Sequence, residues 1–314
     1  VLAVFPKAKW HQWEAAGRDA VRAGARLAFG QNTETRYDLG AADVKPTAGG
    51  VAFHGPLALC YRVNLQSRIA SRILLRIAEG FYRDEHDVYD AANAIRWQDW
   101  FTPQQRIKVK VSAHHCPLKS LDFVTLRVKD AVCDRFQFAR GKRPTVDTHA
   151  PDILIAVYLD ASTCTFYVDT SGEPLFKRGW RKSAGEAPIR ENLAAGILRL
   201  SKWTADTVLY DPMCGSGTFV IEAALMARRV APGIGRHFAF EKLLSFDAQR
   251  LNDLRTELKA MEIPIKPGLI HAADDNAHAI TSIKANLTIA GSGDAAFQPG
   301  FEKRVDGAVE DAVG

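Results

Sequence analysis

The chain has 314 residues, of which 47% are hydrophobic and 25% are charged, a composition typical of a globular protein with room for two domains. Its 41 Lys and Arg residues exceed its 36 Asp and Glu residues, and the resulting net charge of +5 permits a nucleic-acid partner without requiring one. No apolar run approaches the roughly 20 residues that span a bilayer, and five scattered Cys without a C-x-x-C pair favour neither a disulfide framework nor a zinc site, so we expect a cytoplasmic protein without membrane or metal partners.

The first half of the chain alternates helical and strand patterns. In chain order, the predicted elements are helix 9–29, strand 49–55, helix 57–67, strand 73–77, helix 87–94, strand 107–111, helix 120–138, and strands 153–159 and 165–169. Strand 107–111 alternates Ile and Val with Lys, a period of two. Helix 120–138 repeats apolar residues at steps of three and four. This mixture predicts a small α/β domain that ends near Gly172.

A second unit is predicted after a linker. Residues 174–186 are rich in Gly, Pro, Lys and Arg, as interdomain linkers often are, and a helix is predicted over 189–202. A short apolar strand at 207–210 then opens the second domain. Strand 269–273 and helix 277–289 follow further along the chain.

The loop 211–218, with the sequence D-P-M-C-G-S-G-T, carries the most chemical information. Gly215 and Gly217 remove side chains where a ligand must approach the backbone, and the helix that begins near Phe219 offers unpaired N–H groups to a carboxylate. An acid at the strand end, Asp211, can hold an ammonium group. These features suit the zwitterionic end of S-adenosylmethionine.

Other phosphate-binding and nucleotide-binding loops fit this sequence less well. A dinucleotide-binding loop needs G-x-G-x-x-G, but Val220 stands where the third Gly belongs. A Walker A loop needs Lys after its second Gly, and Thr218 follows Gly217. The remaining alternative is an ordinary strand–loop–helix turn.

A second acid, Asp274, stands at the carboxyl end of the predicted strand 269–273. An acid in this position of an open α/β sheet binds the two hydroxyls of a ribose. The alternative is a carboxylate that caps the following helix. Beside the 211–218 loop, the ribose role is the preferred interpretation.

Residues 211–218 resemble the D-P-x-C-G-S-G-T signature of the THUMP-associated RNA methyltransferases. Further segments look like the same family before the signature (177–181 and 187–195), in the THUMP region (129–136 and 141–144), and in an insertion between the first two strands of the methyltransferase sheet (231–233 and 238–241). The insertion is similar to that of the bacterial branch that methylates guanine N2 in large-subunit ribosomal RNA.

The resemblance implies an α/β protein with four regions: a ferredoxin-like segment (1–63), a THUMP RNA-binding domain (64–172), a linker with a leading helix (173–200), and a Rossmann-like S-adenosylmethionine-binding domain (201–314). It implies methyl transfer from S-adenosylmethionine to N2 of a guanine in RNA, with large-subunit ribosomal RNA as the partner. Asp274 would hold the ribose of the cofactor. The implied contacts of its methionine end are Asp211, Pro212, Cys214, Gly215, Gly217 and Thr218.

A basic group surrounds the end of the predicted helix 120–138. A solvated charged surface is one interpretation, and the THUMP resemblance favours contact with RNA phosphates. The basic group consists of Lys129, Arg135, Arg140, Lys142 and Arg143.

Two other features have chemical alternatives. The run His114-His115-Cys116 is compatible with a metal site, but it has no partner Cys or His pair nearby, so a loop is the preferred interpretation. Cys214 is compatible with a nucleophile, and a packing and backbone role is preferred for it.

The sequence departs from the family at the catalytic loop, which is an Asn or Asp followed by Pro-Pro and an aromatic residue. The chain has 14 Pro and no Pro-Pro pair, so its catalytic residues are unassigned. The acid expected near the adenine is also missing, with Gly300 and Phe301 in that area and Glu302 a weak substitute. We therefore expect an incomplete methyltransferase domain.

Three alternatives stay open beside a methyltransferase of large-subunit ribosomal RNA. One is an RNA-binding module that keeps a non-catalytic cofactor fold, which the missing Pro-Pro pair favours. Another is a guanine-N2 methyltransferase of transfer RNA. The third is a small-molecule methyltransferase whose front domain only dimerises.

Overall fold

The computed structural model describes residues 2–4, 41–47, 50–181 and 189–291. The predicted helix 9–29 lies outside these residues, as do 182–188 of the predicted linker and the area of Gly300 to Glu302. The strands are β1 (Leu2–Val4), β2 (Ala42–Thr47), β3 (Gly50–His54), β4 (Arg72–Phe81), β5 (Ile107–Ala113), β6 (Ile153–Leu159), β7 (Thr163–Asp169), β8 (Leu209–Asp211) and β9 (Ile270–Ala272). The α-helices are α1 (Leu57–Gln66), α2 (Glu85–Ala94), α3 (Leu121–Arg140), α4 (Glu191–Leu200), α5 (Thr218–Ala227), α6 (Ala248–Ala260) and α7 (Ala277–Ile289).

The chain divides into two compact units. Unit 1 comprises Val1–Asn64, Ala70–Pro174 and His237–Asp253, and unit 2 comprises Leu65–Ile69, Leu175–Arg236 and Leu254–Gly314. Each unit therefore contains a segment that lies, in the sequence, among residues of the other. Among the described residues, no helix is both long and apolar enough to cross a membrane.

Unit 1 is built on a seven-stranded sheet in the order β2-β3-β1-β4-β7-β6-β5. Only β5 and β6 pair in parallel, with Ile107 opposite Ile153, and the other neighbours are antiparallel. In β5, Ile107 and Val109 are buried whereas Lys110 is exposed, which confirms the predicted alternation. A parallel pair needs a crossover connection, and α3 lies in the one between β5 and β6.

Helix α3 begins and ends where its sequence indicates. The Ser120 side chain accepts a hydrogen bond from the Phe123 N–H (3.2 Å), which is an N-cap. Gly141 ends the helix in the left-handed conformation, with φ of 66° and its N–H bonded to the Gln137 carbonyl (2.9 Å). The predicted apolar stripe is buried at Val124, Val128, Val132 and Phe136.

The segment His237–Asp253 packs within unit 1 through aromatic rings and backbone hydrogen bonds. Phe240 stacks on Tyr61 with ring centroids 4.4 Å apart, and the Phe240 N–H donates to the Thr170 carbonyl (3.0 Å). The Tyr61 hydroxyl accepts from the Asp247 N–H (3.0 Å). The insertion that the sequence pattern places between two strands of the methyltransferase sheet therefore supplies part of the core of unit 1.

In the described part of unit 2, two parallel strands, β8 and β9, lie against α5 and α7. Leu209 pairs with Ile270, and Asp211 pairs with Ala272. Helix α5 is apolar except for Thr218 and Glu222, and most of its residues are buried. This packing places the carboxyl ends of both strands at one edge, where ligands bind in open α/β sheets.

Candidate functional site

The loop 211–218 is held by backbone hydrogen bonds to the end of β9. The Ala273 N–H donates to the Asp211 carbonyl (2.8 Å), and the Cys214 N–H donates to the Ala273 carbonyl (2.9 Å). The buried side-chain amide of Asn286, on α7, donates to the Ser216 carbonyl (3.1 Å). These bonds bring together all the residues predicted to bind the cofactor, Asp274 included.

The two glycines of the loop are required for different reasons. Both have positive φ, 53° at Gly215 and 84° at Gly217, which disfavours any side chain. A Cβ at Gly217 would lie 2.3 Å from Cγ1 of Ile283, so this position is filled by α7. A Cβ at Gly215 would meet nothing within 4 Å. Gly215 therefore borders open space, as a residue beneath a ligand should.

Helix α5 presents its amino terminus at the same place. It begins at Thr218, and its first bond in the helical ladder runs from the Ile221 N–H to the Gly217 carbonyl (2.8 Å). The N–H groups of residues 218–220 precede that bond and have no partner within the helix. Such groups, at the positive end of a helix dipole, bind an anion.

Asp274 is oriented by two backbone N–H groups. Its Oδ2 accepts from Gly215 (2.7 Å) and its Oδ1 from Asn276 (3.0 Å). The cap of α7 is Asn276, whose side chain accepts from the His278 N–H (2.9 Å), so the alternative that Asp274 caps this helix is wrong. A carboxylate has about four acceptor positions, and Asp274 therefore keeps capacity for hydroxyl donors.

The environment of Asp211 favours a positively charged ligand. Burial raises the pKa of this carboxyl, and the charge of Asp274 raises it further, while a hydrogen bond from the Met213 N–H (3.3 Å) opposes them. No Lys, Arg or His among the described residues forms an ion pair with Asp211. A ligand ammonium group would supply the missing positive charge.

Cys214 is buried and unsuited to nucleophilic attack. Burial raises the pKa of its thiol to about 12, and the charges of Asp211 and Asp274 act in the same direction. The thiolate is the reactive form of cysteine, so this residue is a neutral thiol near pH 7. Its side chain belongs to the buried hydrophobic cluster of unit 2.

Arg181 contacts the loop, a role that the sequence analysis missed. Its guanidinium donates to the hydroxyls of Ser216 (3.2 Å) and Thr218 (2.8 Å) and to the Ile189 carbonyl (3.0 Å). Its Nε donates to the Glu191 carboxylate (2.9 Å). In the sequence, the segment 177–181 carries only a family resemblance, and nothing local in it points to a loop 35 residues away.

A buried ion-pair cluster supports the helix that follows the loop. The carboxylate of Glu222, on α5, is fully buried and lies 3.4 Å from the guanidinium of Arg68 and 3.2 Å from that of Arg178. The Arg178 guanidinium also donates to the carbonyls of Leu175 and Arg68 (both 2.6 Å). Burial lowers the pKa of Arg68 to about 10. Both arginines therefore serve the fold of unit 2.

The basic group extends from Lys129, near the middle of α3, to residues just beyond the end of the helix. Arg140, Lys142 and Arg143 are exposed, whereas Lys129 and Arg135 are half-buried. Lys129 lies 2.6 Å from Asp130, and Arg143 pairs with Asp134. The members are thus brought to one region, but two already have carboxylate partners.

An aromatic residue that the sequence analysis did not single out accompanies the basic group. Phe138, in the last turn of α3, is 87% exposed. An exposed ring next to basic side chains is a combination found where single-stranded nucleic acid binds. Nothing in the sequence alone separates it from a core aromatic residue.

The metal interpretation of His114, His115 and Cys116 gains no support. Their region contains a ring contact between the two His (centroids 3.9 Å) and a hydrogen bond from the Tyr82 hydroxyl to the Cys116 sulfur (3.2 Å). In the part of the chain that the structure describes, no three His, Cys, Asp or Glu residues form a group that could hold a metal ion.

Three family models match successive parts of the chain. The ferredoxin-like domain of RlmL matches residues 34–74, the THUMP domain matches 82–169, and the domain described as RMKL-like, methyltransferase domain, matches 178–300. The third match contains the loop 211–218 and Asp274. The expected domain types and their order along the chain are therefore confirmed.

Two curated relatives illustrate the similarity. A protein of Synechocystis sp., provisionally named an RNA methyltransferase, is 35% identical over 250 residues, which cover 79% of this chain and 65% of that protein. The ribosomal RNA large subunit methyltransferase K/L of Aliivibrio salmonicida is 40% identical over 222 residues, which cover 70% of this chain and 32% of that protein. The chain thus spans about two thirds of the length of the first relative and about one third of the length of the second.

A solved structure supports the same fold. A protein provisionally described as a methyltransferase, in complex with SAH (S-adenosylhomocysteine), aligns with a TM-score of 0.76 and 27% identity, over 94% of this chain and 73% of that one. The α/β architecture with a ferredoxin-like segment, a THUMP domain and a methyltransferase fold is thereby confirmed.

Proposed function

Because the chain belongs to the THUMP-domain-containing RNA methyltransferase family, we propose that it binds S-adenosylmethionine at the loop 211–218 and RNA through unit 1. The reaction of the whole protein is the transfer of a methyl group from this cofactor to RNA. The bound cofactor supplies an electrophilic methyl group, and the protein supplies the binding and the positioning.

The observation that carries the proposal is that three features occur together in the loop. They are an acid without a cationic partner among the described residues, the amino terminus of a helix, and a glycine that borders open space. Asp211 has a pKa raised by burial and no cationic partner among the described residues, and it would bind the ammonium group. The N–H groups at the start of α5 would bind the carboxylate. Gly215 leaves space for the ligand, and Asp274 keeps acceptor capacity for the ribose.

The remaining predicted contacts have supporting roles in this proposal. Cys214 packs under the loop, Gly217 lets the loop approach α7, and the Thr218 hydroxyl stands at the helix start. Pro212 is exposed beside Asp211 and would border the ligand.

The RNA substrate is proposed to be large-subunit ribosomal RNA, with N2 of a guanine as the acceptor, in the cytoplasm. The name of the Aliivibrio relative supports the ribosomal RNA, and the insertion resemblance supports guanine N2. The exposed cations Arg140, Lys142 and Arg143 would contact phosphates. A guanine-N2 methyltransferase of transfer RNA is the alternative.

Residues 1–314 are proposed to bind without catalysing transfer. Guanine N2 needs no strong base before attack, so catalysis consists of holding the flipped base and aligning its amino group. The Asn/Asp-Pro-Pro-aromatic loop that does this in the family has no counterpart, because the sequence contains no Pro-Pro. This absence favours the second candidate function, an RNA-binding module with a cofactor fold, for the chain by itself.

Incorporation of a labelled methyl group into ribosomal RNA tests this proposal. The 314-residue chain is expected to bind S-adenosylmethionine but to incorporate no label, while a full-length K/L relative serves as the positive control. Incorporation by the chain above that of an Asp211→Ala variant would show that the catalytic group lies within it. Absence of any cofactor binding would overturn the proposal itself.

A further inference from the structure

The bonds of Arg181 determine how two hydroxyl groups of the loop can act. A guanidinium only donates hydrogen bonds, so the hydroxyl oxygens of Ser216 and Thr218 are acceptors toward Arg181. Each hydroxyl therefore keeps its own proton for another acceptor. Within residues 50–181 and 189–291, no acceptor receives either proton.

Both hydroxyls belong to buried side chains. Ser216 is 9% exposed and Thr218 is 5% exposed, so neither is simply a solvated surface group. A buried donor without an acceptor costs roughly 1–3 kcal/mol. Ser216 and Thr218 stand beside the amino terminus of α5, whose first N–H groups have no partner within the helix, so the two hydroxyls add possible donors at this end of the site.

Arg181 does not itself provide a free positive charge. Its Nε lies 2.9 Å from the Glu191 carboxylate, and its side chain is only 16% exposed. A further N–H is taken by the Ile189 carbonyl (3.0 Å). The ion pair neutralises the guanidinium, so Arg181 contributes to the loop by orienting the hydroxyl groups that it contacts. Its guanidinium serves four acceptors at once, two hydroxyls, a carboxylate and a carbonyl, one more than the three donors of a lysine ammonium group can serve.

We propose that Arg181 is a positioning residue, which commits the Ser216 and Thr218 hydroxyls to donate toward the carboxylate of the amino-acid end of the cofactor. Ser216 is thereby a cofactor contact in addition to those that the sequence indicates. The inference rests on the proposed cofactor site and adds to it the chemistry that recognises one end of the ligand.

Two ligands that differ only in this end provide the test. S-adenosylhomocysteine carries the amino-acid end, and 5′-methylthioadenosine lacks it. Their dissociation constants would be measured calorimetrically for the 314-residue chain and for Arg181→Met and Ser216→Ala, with thermal unfolding as the folding check. Arg190→Met is the matched control. Arg190 directly precedes Glu191 at the start of α4, is exposed, and contacts the Phe176 ring rather than the loop.

We expect Arg181→Met and Ser216→Ala each to lower the affinity for S-adenosylhomocysteine by about tenfold, since a hydrogen bond to a charged group is lost or misdirected. The affinity for 5′-methylthioadenosine should change less than about twofold. Arg190→Met should alter neither. If Arg181 only stabilised the fold, Arg181→Met would lower the affinity for both ligands equally.

Equal weakening of both ligands, or unchanged S-adenosylhomocysteine affinity in a folded Ser216→Ala variant, would overturn the inference while leaving the cofactor site in place. Failure of the unmodified chain to bind S-adenosylhomocysteine would overturn the proposed function and the inference with it. Ser216→Ala keeps the Arg181–Glu191 ion pair, so it remains informative where Arg181→Met does not fold.

Discussion

Two groups of arginine side chains, one in each unit, stand in different settings. In unit 2, Arg68, Arg178 and Arg181 are buried or nearly so, and each lies within 3.4 Å of a carboxylate oxygen. In unit 1, Arg140 and Arg143 are exposed at the end of α3. Arg143 has a local carboxylate partner, yet more than half of its side chain faces solvent.

The difference separates cations that hold the fold from cations that can meet a ligand. A buried, neutralised guanidinium contributes geometry, and its loss leaves a charge without compensation. An exposed cation contributes mainly to the surrounding electric field, which salt screens. Substitutions in unit 2 should therefore have large effects that depend on the position, and those in the basic group should have smaller, additive ones.

The largest effect is expected for Glu222→Gln. This change leaves the guanidiniums of Arg68 and Arg178 buried without their carboxylate, at a cost of about 3–5 kcal/mol in the free energy of unfolding. Asp134→Asn removes the half-buried carboxylate that pairs with Arg143 and leaves an acceptor for the Tyr89 hydroxyl, so it should cost less than about 1 kcal/mol. Urea unfolding of both variants makes the comparison, and equal effects would contradict the distinction between the two settings.

The next effect is expected within the loop. Gly217→Ala places a methyl group against Ile283 and a side chain at positive φ, which should cost about 2–4 kcal/mol through overpacking and backbone strain. Gly215→Ala shares the strain but meets nothing within 4 Å, so its cost should be about 1–2 kcal/mol. Thermal unfolding compares the stabilities of the two variants. A larger loss of stability for Gly215→Ala would contradict the close packing of Ile283 against Gly217.

Local signals in the sequence predicted the elements that carry the loop, because each of those signals acts over a few residues. Helix α7 has the predicted bounds, and Ser120 and Gly141 mark the ends of α3. Strand β4 extends four residues beyond the prediction, to Phe81, because its pairing with β7 continues to Phe81 opposite Thr163.

What the sequence could not provide depends on contacts between distant residues. Glycine is needed at position 217 because a side chain there would collide with Ile283, which lies 66 residues away in the sequence. Arg181 reaches Ser216 only in the folded chain, and Phe240 joins unit 1 through Tyr61. Periodicity and motif spacing contain no information on such pairs, so the positioning residue and the origin of that part of the core emerged only from the structure.

RNA binding by the basic group should depend on salt. Each phosphate contact to single-stranded RNA contributes about −0.7 to the slope of log affinity against log salt. Replacing Arg140, Lys142 and Arg143 by Gln should make the slope shallower by about 2 if all three contact phosphates. Fluorescence anisotropy over a salt series measures this change. An unchanged slope would mean that these three residues do not contact the RNA phosphates.

A smaller effect is expected for Asp211→Asn on stability. The pKa of Asp211 is raised in the folded state above its unfolded value of about 3.9, so its ionised form destabilises the fold above the folded pKa. Asn should therefore raise the free energy of unfolding at pH 7, by less than about 1 kcal/mol because the group is partly solvated. The gain should vanish below about pH 4, where both states are protonated. Unfolding at both pH values checks the sign, and a loss of stability at pH 7 would contradict it.

A calorimetric titration tests directly whether the loop 211–218 binds the cofactor through Asp211. The 314-residue chain should bind S-adenosylhomocysteine saturably. A folded Asp211→Ala variant should bind at least about tenfold more weakly, since its carboxylate no longer meets the ligand's ammonium group. Equal affinity in the two proteins would contradict the assignment of the loop.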